Sequence, residues 1–498
     1  MQLTKQNLKD IAPQPGLTIP ENKIFELPEK VLQFGTGVLL RGLPDYFIDK
    51  ANRQGLFNGR VVVVKSTASG GADAFDQQDG LYTLCVRGVE QGKQIEENII
   101  NASISRVLSA RSDWDKILAV AADANVQLII SNTTEVGIAL VKENIHATPP
   151  ASFPAKLLAV LYKRYEAFDG AADKGMVIVP TELITDNGKK LKAIVQELAI
   201  FNELGAEFIQ WLNTYNHFCN SLVDRIVPGK LPADQQAAVE KQLGYTDELM
   251  IMSEVYRLWA IETDDKKVMD VLSFSKADSG VVLTKDITKY KELKLRLLNG
   301  SHTFTCALAI LRGFTTVKEA MKDQQFSTFI KNLMMNEIVP AITGRDLPAE
   351  EAIAFAKNVL DRYSNPFLEH QWMSISVQYT SKMRMRNAAL LQWYAEKTGK
   401  TPELMATGFA AYLLFMRSQE KGDGNYAGEI NEKEYTINDQ YAKELSTKWQ
   451  ENEGPALVNA VLNDETLWET DLGAVPGLAE AVIKRLNEFN RDYFINLV

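Results

Sequence analysis

Within Lys294-Leu-Arg-Leu-Leu-Asn299-Gly-Ser-His302 an amine, a side-chain amide and an imidazole recur at i, i+5 and i+8 inside an otherwise apolar run. On an α-helix of about 100° per residue, Asn299 and His302 stand roughly 140° and 80° round from Lys294. Asn299 and His302, three apart, are direct neighbours on a helix surface, and a long lysine stem spans the remaining axial gap. All three therefore share one face. Such a set offers a base, a polar hydrogen-bond donor and an orienting imidazole around one small substrate. The plainer alternative is a solvated surface lysine beside a satisfied core histidine, and spacing alone leans towards it.

The elements that would position this chemistry begin with Lys30-Val-Leu-Gln-Phe-Gly35-Thr-Gly37-Val-Leu-Leu40. A short β-type run ends in G-x-G, and an apolar-periodic segment continues to a helix stop at Gly55. Strand, tight turn and helix in this order let a backbone approach a pyrophosphate. Phe34, Gly35, Thr36, Gly37, Val38 and Leu39 are the candidate cofactor contacts. Leu40 holds the third glycine position, and Pro44 early in the helix predicts a lost hydrogen bond or a bend. Arg60-Val-Val-Val-Val-Lys65-Ser66 follows one helix length later, reading as a buried parallel strand. The acid that would grip an NAD ribose at its end is replaced by Lys65 and Ser66, which leaves NAD and NADP both open.

The α/β alternation persists. Ser112–Asp115 reads as a capping box. Val126–Asn132 is another buried-type strand, ending in Thr133-Thr134-Glu135, and a helix covers about residues 155–168. Gly175–Glu182 is a further strand, whose polar end runs to Asp186-Asn187-Gly188. In open parallel sheets ligands bind beyond the carboxyl ends of the strands, so Asn132, Thr133, Glu135 and Asn187 would face one crevice. Polar turns between elements are the alternative for each segment.

From Leu191 the character shifts towards helices. The charged residues inside apolar patterns at Asn220–Pro228 and Ser253–Glu262 read as paired structural groups. The polar stretch Lys276–Lys289 marks a boundary. The expected division is 1–285, a nucleotide-binding domain, and 286–498, a mainly helical domain with helices at Leu404–Arg417 and Ala479–Asn490 and a loop at Lys421–Gly428.

Composition sets limits on function. A chain of 498 residues with 46% hydrophobic and 24% charged residues reads as an ordinary globular protein of at least two domains. A net charge of −10 argues against a nucleic-acid or anionic-membrane partner. No apolar run is long enough to span a bilayer, and the N-terminus has no signal core. Three scattered cysteines argue against a disulfide framework, and a cytoplasmic location is expected. His146, His217 and His370 are isolated, so no metal site is expected.

The chain resembles the mannitol dehydrogenase family of polyol-specific long-chain dehydrogenases along essentially its whole length. The family pattern K-x-x-x-x-N-x-x-H is matched by Lys294, Asn299 and His302. The other landmarks follow in order: Gly35-Thr-Gly37 with Arg41, Asp79-Gly-Leu-Tyr82, Asn220-Ser-Leu-Val-Asp-Arg-Ile and Arg362-Tyr-Ser-Asn365-Pro366. Ser131–Gly137 and Lys294–Thr303 look most like the tagaturonate-reducing branch. The resemblance implies an N-terminal Rossmann-type doubly wound sheet, a mainly α-helical C-terminal domain and an active site between them. It implies NAD-dependent, metal-independent interconversion of D-altronate and D-tagaturonate. Mannonate/fructuronate and mannitol chemistry are the sibling alternatives, and a non-catalytic nucleotide-binding sensor is the alternative from another class. Carried over by position, Lys294 is the acid/base, Asn187 and Asn299 polarise the carbonyl, and His302 orients the substrate. Mannitol-type members often carry an arginine where this chain has Ser374; Lys382, Arg384 and Arg386 follow instead. A uronate carboxylate needs a cation, and Lys382 helped by Arg384, with Arg362 nearby, is the expected provider. The partner is a small hexuronate or aldonate, bound by a monomer or small homo-oligomer.

Overall fold

The computed structural model describes residues 1–66, 72–133, 137–344, 346–430 and 432–491. The chain forms two compact units, Met1–Arg87 with Gln94–Ile287, and Gly88–Lys93 with Thr288–Val498.

The first unit is built on six strands: β1 (Glu29–Phe34), β2 (Arg60–Lys65), β3 (Ile104–Ser109), β4 (Leu128–Ser131), β5 (Val177–Pro180) and β6 (His217–Phe218). All pair in parallel, in the order β3-β2-β1-β4-β5-β6. This is the doubly wound dinucleotide order, in which the direction of winding reverses between β1 and β4. Residues alternate across it as a pleated strand demands. Val31, Val61, Val63, Leu128, Ile130, Val177 and Val179 enter one core. Leu32, Val62, Val64, Ile129 and Ile178 enter the other, with residues of Phe153–Ala167, Asn187–Phe201 and Ala206–Tyr215. Burial on both faces explains the unbroken β-branched runs, each such side chain contributing about 1.5–3 kcal/mol.

Three local expectations change. Pro44 does not bend a helix: α1 (Val38–Gly42) stops, Leu43 leaves helical geometry at φ −133°, and α2 (Pro44–Arg53) starts with the proline. At a first helical position its missing N–H is harmless. The capping box at Ser112–Asp115 does not form; the helix starts at Trp114, and the Asp113 carboxylate accepts from Ser109 N–H (3.1 Å) and the Lys116 ammonium (2.8 Å). Between β6 and Ile287 short strands are interleaved with helices such as Ala233–Leu243 and Lys266–Val271. Ser221–Asp224, Leu258–Glu262 and Val281–Thr284 form one sheet, and Ile251–Glu254 edges another. Apolar runs of four or five residues suit a strand and are too short to show a helical period. Arg225 is held there by Glu254 O (2.9 Å) and Gly42 O (2.6 Å).

The second unit is mainly helical and packs round Glu403–Phe415, every residue of which is buried from Met405 onward. Its last described helix is Leu478–Arg491. The expected loop at Lys421–Gly428 is instead part of a three-stranded antiparallel sheet, Gln419–Gly422, Asn425–Ile430 and Lys433–Ile437. Gly422, Asp423 and Gly424 all take positive φ and make the tight turn. The first strand is wholly exposed, so no alternation marked it. Among the described residues no helix is long and apolar enough to cross a membrane.

Candidate active site

The carboxyl ends of β1, β4 and β5 are tied into one polar rim. Gly35 takes φ +125°, and a Cβ there would lie 2.9 Å from Leu40 Cδ1 and 3.1 Å from Asn132 O. Only glycine fits, and Leu40 in the third glycine position is what packs beneath it. A Cβ on Gly37 would meet nothing within 4 Å, so the turn borders open space. Asn132 Nδ2 donates to Thr181 O (3.1 Å) and Thr181 Oγ1 (3.0 Å). The buried Glu182 carboxylate accepts from Thr133 N–H (2.9 Å), the Thr133 hydroxyl (3.0 Å) and the Ser131 hydroxyl (3.2 Å). Burial pushes its pKa up, and these bonds oppose the shift. Glu135 lies outside the described residues.

Asn187 sits at the bottom of this rim, following the left-handed Asp186. Its amide nitrogen lies 3.1 Å from each of Pro180 O, Glu182 O and Ser221 O, and its Oδ1 accepts from Gly188 N–H and Ser221 N–H, both at 2.9 Å. The side chain therefore locks β5 to the strand Ser221–Asp224. Lys65, half-buried, and Ser66, exposed, end β2 without a described acid beside them in sequence.

Lys294 and Asn299 lie on a π-helical segment, Leu293–Gly300, which passes into α3 (Ser301–Leu311). This differs from the α-helix the spacing suggested, and it improves the alignment. Bonds run i→i+5 in a π-helix, so residues five apart stand one turn from each other. The wider winding is sustained by side-chain donors that reach its carbonyls one after another. Leu297 O accepts from the Ser301 hydroxyl (2.5 Å), Leu298 O from the Tyr363 hydroxyl (2.8 Å) and Asn299 O from the Thr303 hydroxyl (2.8 Å). Gly300 O accepts from Asn387 Nδ2 (3.2 Å). Asn387 belongs to a second π-helical segment, Arg384–Ala388, docked on the first. Lys294 and Asn299 are half-buried; His302 is 7% exposed.

The His302 ring stacks on Tyr363 (centroids 4.0 Å apart, 29° between planes) and meets His370 edge-on at 5.1 Å and Trp372 at 5.6 Å. Burial, then His370, Arg362 and Arg386, hold its pKa well below the usual imidazole value, so the ring is neutral. Its Nδ1 has no hydrogen-bond partner among the described residues. A buried, neutral, unsatisfied nitrogen is uncommon in a folded protein and retains its hydrogen-bonding capacity.

Three cations were expected to bind the substrate. Arg362 is buried and acts on both His302 and His370. Lys382 is half-buried, donates to Ile375 O (2.8 Å) and acts on His370. Arg384 is turned elsewhere, onto the Tyr441 hydroxyl (3.1 Å) and the Glu469 carboxylate (3.3 Å). Arg386, two residues on, instead donates to Thr303 Oγ1 (3.1 Å) and reaches Asn299 O (3.5 Å). Sequence reasoning also missed Tyr363 and His370, which come from a different helix and a loop. The adjacency of Tyr363 to Arg362 was the signal available.

The mannitol dehydrogenase Rossmann domain matches residues 29–271, and the mannitol dehydrogenase C-terminal domain matches residues 286–490. The chain belongs to the mannitol dehydrogenase family. Similar members include proteins named altronate oxidoreductase from Yersinia enterocolitica, 38% identical over 92% of this chain and 94% of the relative, and from Bacillus subtilis, 38% identical over 93% of each. Among solved structures, D-sorbitol dehydrogenase in substrate-free form matches with a TM-score of 0.79 at 19% identity, covering 100% of this chain and 99% of that one. Pseudomonas fluorescens mannitol 2-dehydrogenase, in a ternary complex with NAD and D-mannitol, matches at 0.68 and 21% identity, with the same coverage. At that identity the structures speak for the fold: a Rossmann domain followed by the family's C-terminal domain.

Proposed function

We propose that this family member is an NAD-dependent oxidoreductase interconverting D-altronate and D-tagaturonate. Two relatives named altronate oxidoreductase, similar over more than nine-tenths of the chain, support the substrate. The observation that carries the chemistry is the π-wound segment that aligns Lys294 with Asn299 beside a neutral, unsatisfied His302.

The Gly35-Thr36-Gly37 turn fits a dinucleotide, because a backbone without side chains borders open space at the reversal point of the sheet. Phe34, Val38, Leu39, Asn132, Thr133, Lys65 and Ser66 would line the remainder. When bound, the nicotinamide gives or takes the hydride. The rest is done by the chain's own groups. In reduction, negative charge grows on the carbonyl oxygen; the Lys294 ammonium gives it a proton, and in oxidation the amine takes that proton back. Asn299 donates to the same oxygen as charge develops, where a fixed amide is worth about 10²–10³ in rate. Asn187 is the second amide proposed to polarise a carbonyl. His302 Nδ1 accepts from a neighbouring substrate hydroxyl and fixes which carbon faces the hydride. Lys382 and Arg362 supply positive charge for the carboxylate end.

Purified protein should be tested for NADH and NADPH oxidation with tagaturonate, fructuronate and fructose. Tagaturonate with NADH is expected to give the highest kcat/KM. Turnover of fructose alone would make the protein a polyol enzyme, and reduced-cofactor binding without turnover of any of the three would make it a sensor.

A further inference from the structure

The side chain of Arg386 is held in place from both sides, yet its charge is left unmatched. The Arg296 guanidinium donates to Met385 O (3.0 Å) and Arg386 O (2.6 Å), pinning that backbone onto the Lys294–Asn299 segment. Next to it, Asn387 Nδ2 holds Gly300 O, and Gly300 has no room for a Cβ, which would lie 2.8 Å from Asn387 Oδ1. From this anchored backbone the Arg386 guanidinium reaches Thr303 Oγ1 (3.1 Å) and extends to Asn299 O (3.5 Å). It thus lies against the residues on either side of His302 in the face, and its charge is felt by that ring.

Both contacts are neutral. Among the described residues no carboxylate lies within ion-pair distance of Arg386, although the side chain is half-buried. Burial lowers its pKa, the direction expected of a cation short of counter-charge. The Tyr363 hydroxyl favours its charge only weakly against burial, whereas Lys382 bears the same sign and His302 is neutral. The competing cations are better satisfied: Arg384 pairs with Glu469, and Lys382 is tied to Ile375 O within electrostatic reach of Asp439. A guanidinium fork offers two parallel donors to a carboxylate, which an ammonium cannot.

We propose that Arg386 takes the substrate carboxylate and so makes the site select acid sugars over neutral ones; this rests on the altronate/tagaturonate reading above. The carboxylate completes the guanidinium's hydrogen bonding, and in doing so draws the sugar chain alongside Asn299 and His302.

The test compares kcat/KM for tagaturonate with kcat/KM for the carboxylate-free ketose of the same configuration, in the full-length wild type, Arg386→Met and Arg386→Lys. Loss of a charge-assisted pair is expected to cut the acid-over-neutral ratio about 10- to 100-fold in Arg386→Met, mostly through KM. Arg386→Lys keeps the charge without the fork and should fall between. A role confined to packing would lower both substrates together and leave the ratio unmoved. A wild type with no preference for the acid sugar overturns the proposed function and this inference with it. A preference that survives within twofold in Arg386→Met overturns the role of Arg386 alone. Melting temperature and NADH fluorescence report whether each variant folds; if the methionine variant does not, a lysine variant with the wild-type ratio overturns the proposal.

Discussion

Replacing Tyr363 by phenylalanine isolates what holds the π turn in place. The ring, and with it the stack on His302 at 4.0 Å, is retained. Only the hydroxyl goes, and with it the donor 2.8 Å from Leu298 O and the contact at 2.8 Å to Ser301 Oγ. A buried carbonyl stripped of its donor loses about 1–3 kcal/mol. Ser301 Oγ remains 3.3 Å from the same carbonyl, which places the loss at the low end, near 1 kcal/mol. In a unit of this size that lowers Tm by about 2–4 °C. The effect on rate is larger in proportion, because a displacement of about 1 Å between reacting groups can cost 10²-fold. The expectation is a kcat lower by about 10- to 100-fold with KM little changed. Tyr412→Phe is the control: it deletes another buried hydroxyl, 2.8 Å from Thr380 Oγ1, and touches neither π segment's carbonyls. Steady-state NADH oxidation and thermal melts of both variants decide the matter. If Tyr363→Phe melts a few degrees lower but turns over at the wild-type rate, the hydroxyl supports the fold and has no part in aligning Lys294 with Asn299.

Lys294→Ala should abolish turnover while NADH still binds, which fluorescence titration can follow; near-normal activity would remove the lysine from the mechanism. Gly35→Ala forces a side chain onto φ +125° within 2.9 Å of Leu40. A strain of about 1–3 kcal/mol is expected there, read as a lower Tm and an NADH affinity weakened at least about tenfold. Glu337 is a different case, a buried carboxylate that accepts the N–H groups of Leu404 (2.8 Å) and Met405 (2.7 Å) at the start of the central helix. Burial raises its pKa from 4.5 to about 7 in the folded protein. The folded state therefore holds this proton more tightly than the unfolded chain, so its contribution to stability is full below pH 4.5 and is lost as pH rises through about 7. The difference is on the order of 3 kcal/mol. Melting curves of Glu337→Gln across that window should be flatter than wild type, and an unchanged slope would assign the pH dependence to other groups.

What could be read from the chain was whatever depends on near neighbours. Runs such as Val61–Val64 announce a strand buried on both faces, and Gly35 and Gly37 announce a turn that needs bare backbone. Lys294, Asn299 and His302 stand out because three polar residues interrupt an apolar helix. The winding of that helix could not be read, since it depends on Tyr363 and Asn387, which lie more than sixty residues away in sequence and supply its carbonyls with donors. For the same reason Arg384 and Arg386 were indistinguishable: their opposite directions follow from the local π geometry and from Glu469, far along the chain. The hairpin at Gln419–Ile430 escaped because its first strand is exposed on both faces, and the backbone partners of Asn187 could not be read because one of them, Ser221 O, lies more than thirty residues along the chain.

Gly300 shows what the π winding means for anyone trying to harden this enzyme. A glycine inside a helix is an obvious target for thermostabilisation, since alanine there is ordinarily favoured by about 1 kcal/mol. Here the added methyl would push Asn387 off the carbonyl it holds and favour the ordinary 3.6-residue coil. Straightened in that way, the helix would rotate Asn299 away from Lys294 and leave the Gly300 carbonyl without its Asn387 donor, so the exchange loses alignment and gains no stability. The imperfect residue is the one to leave alone.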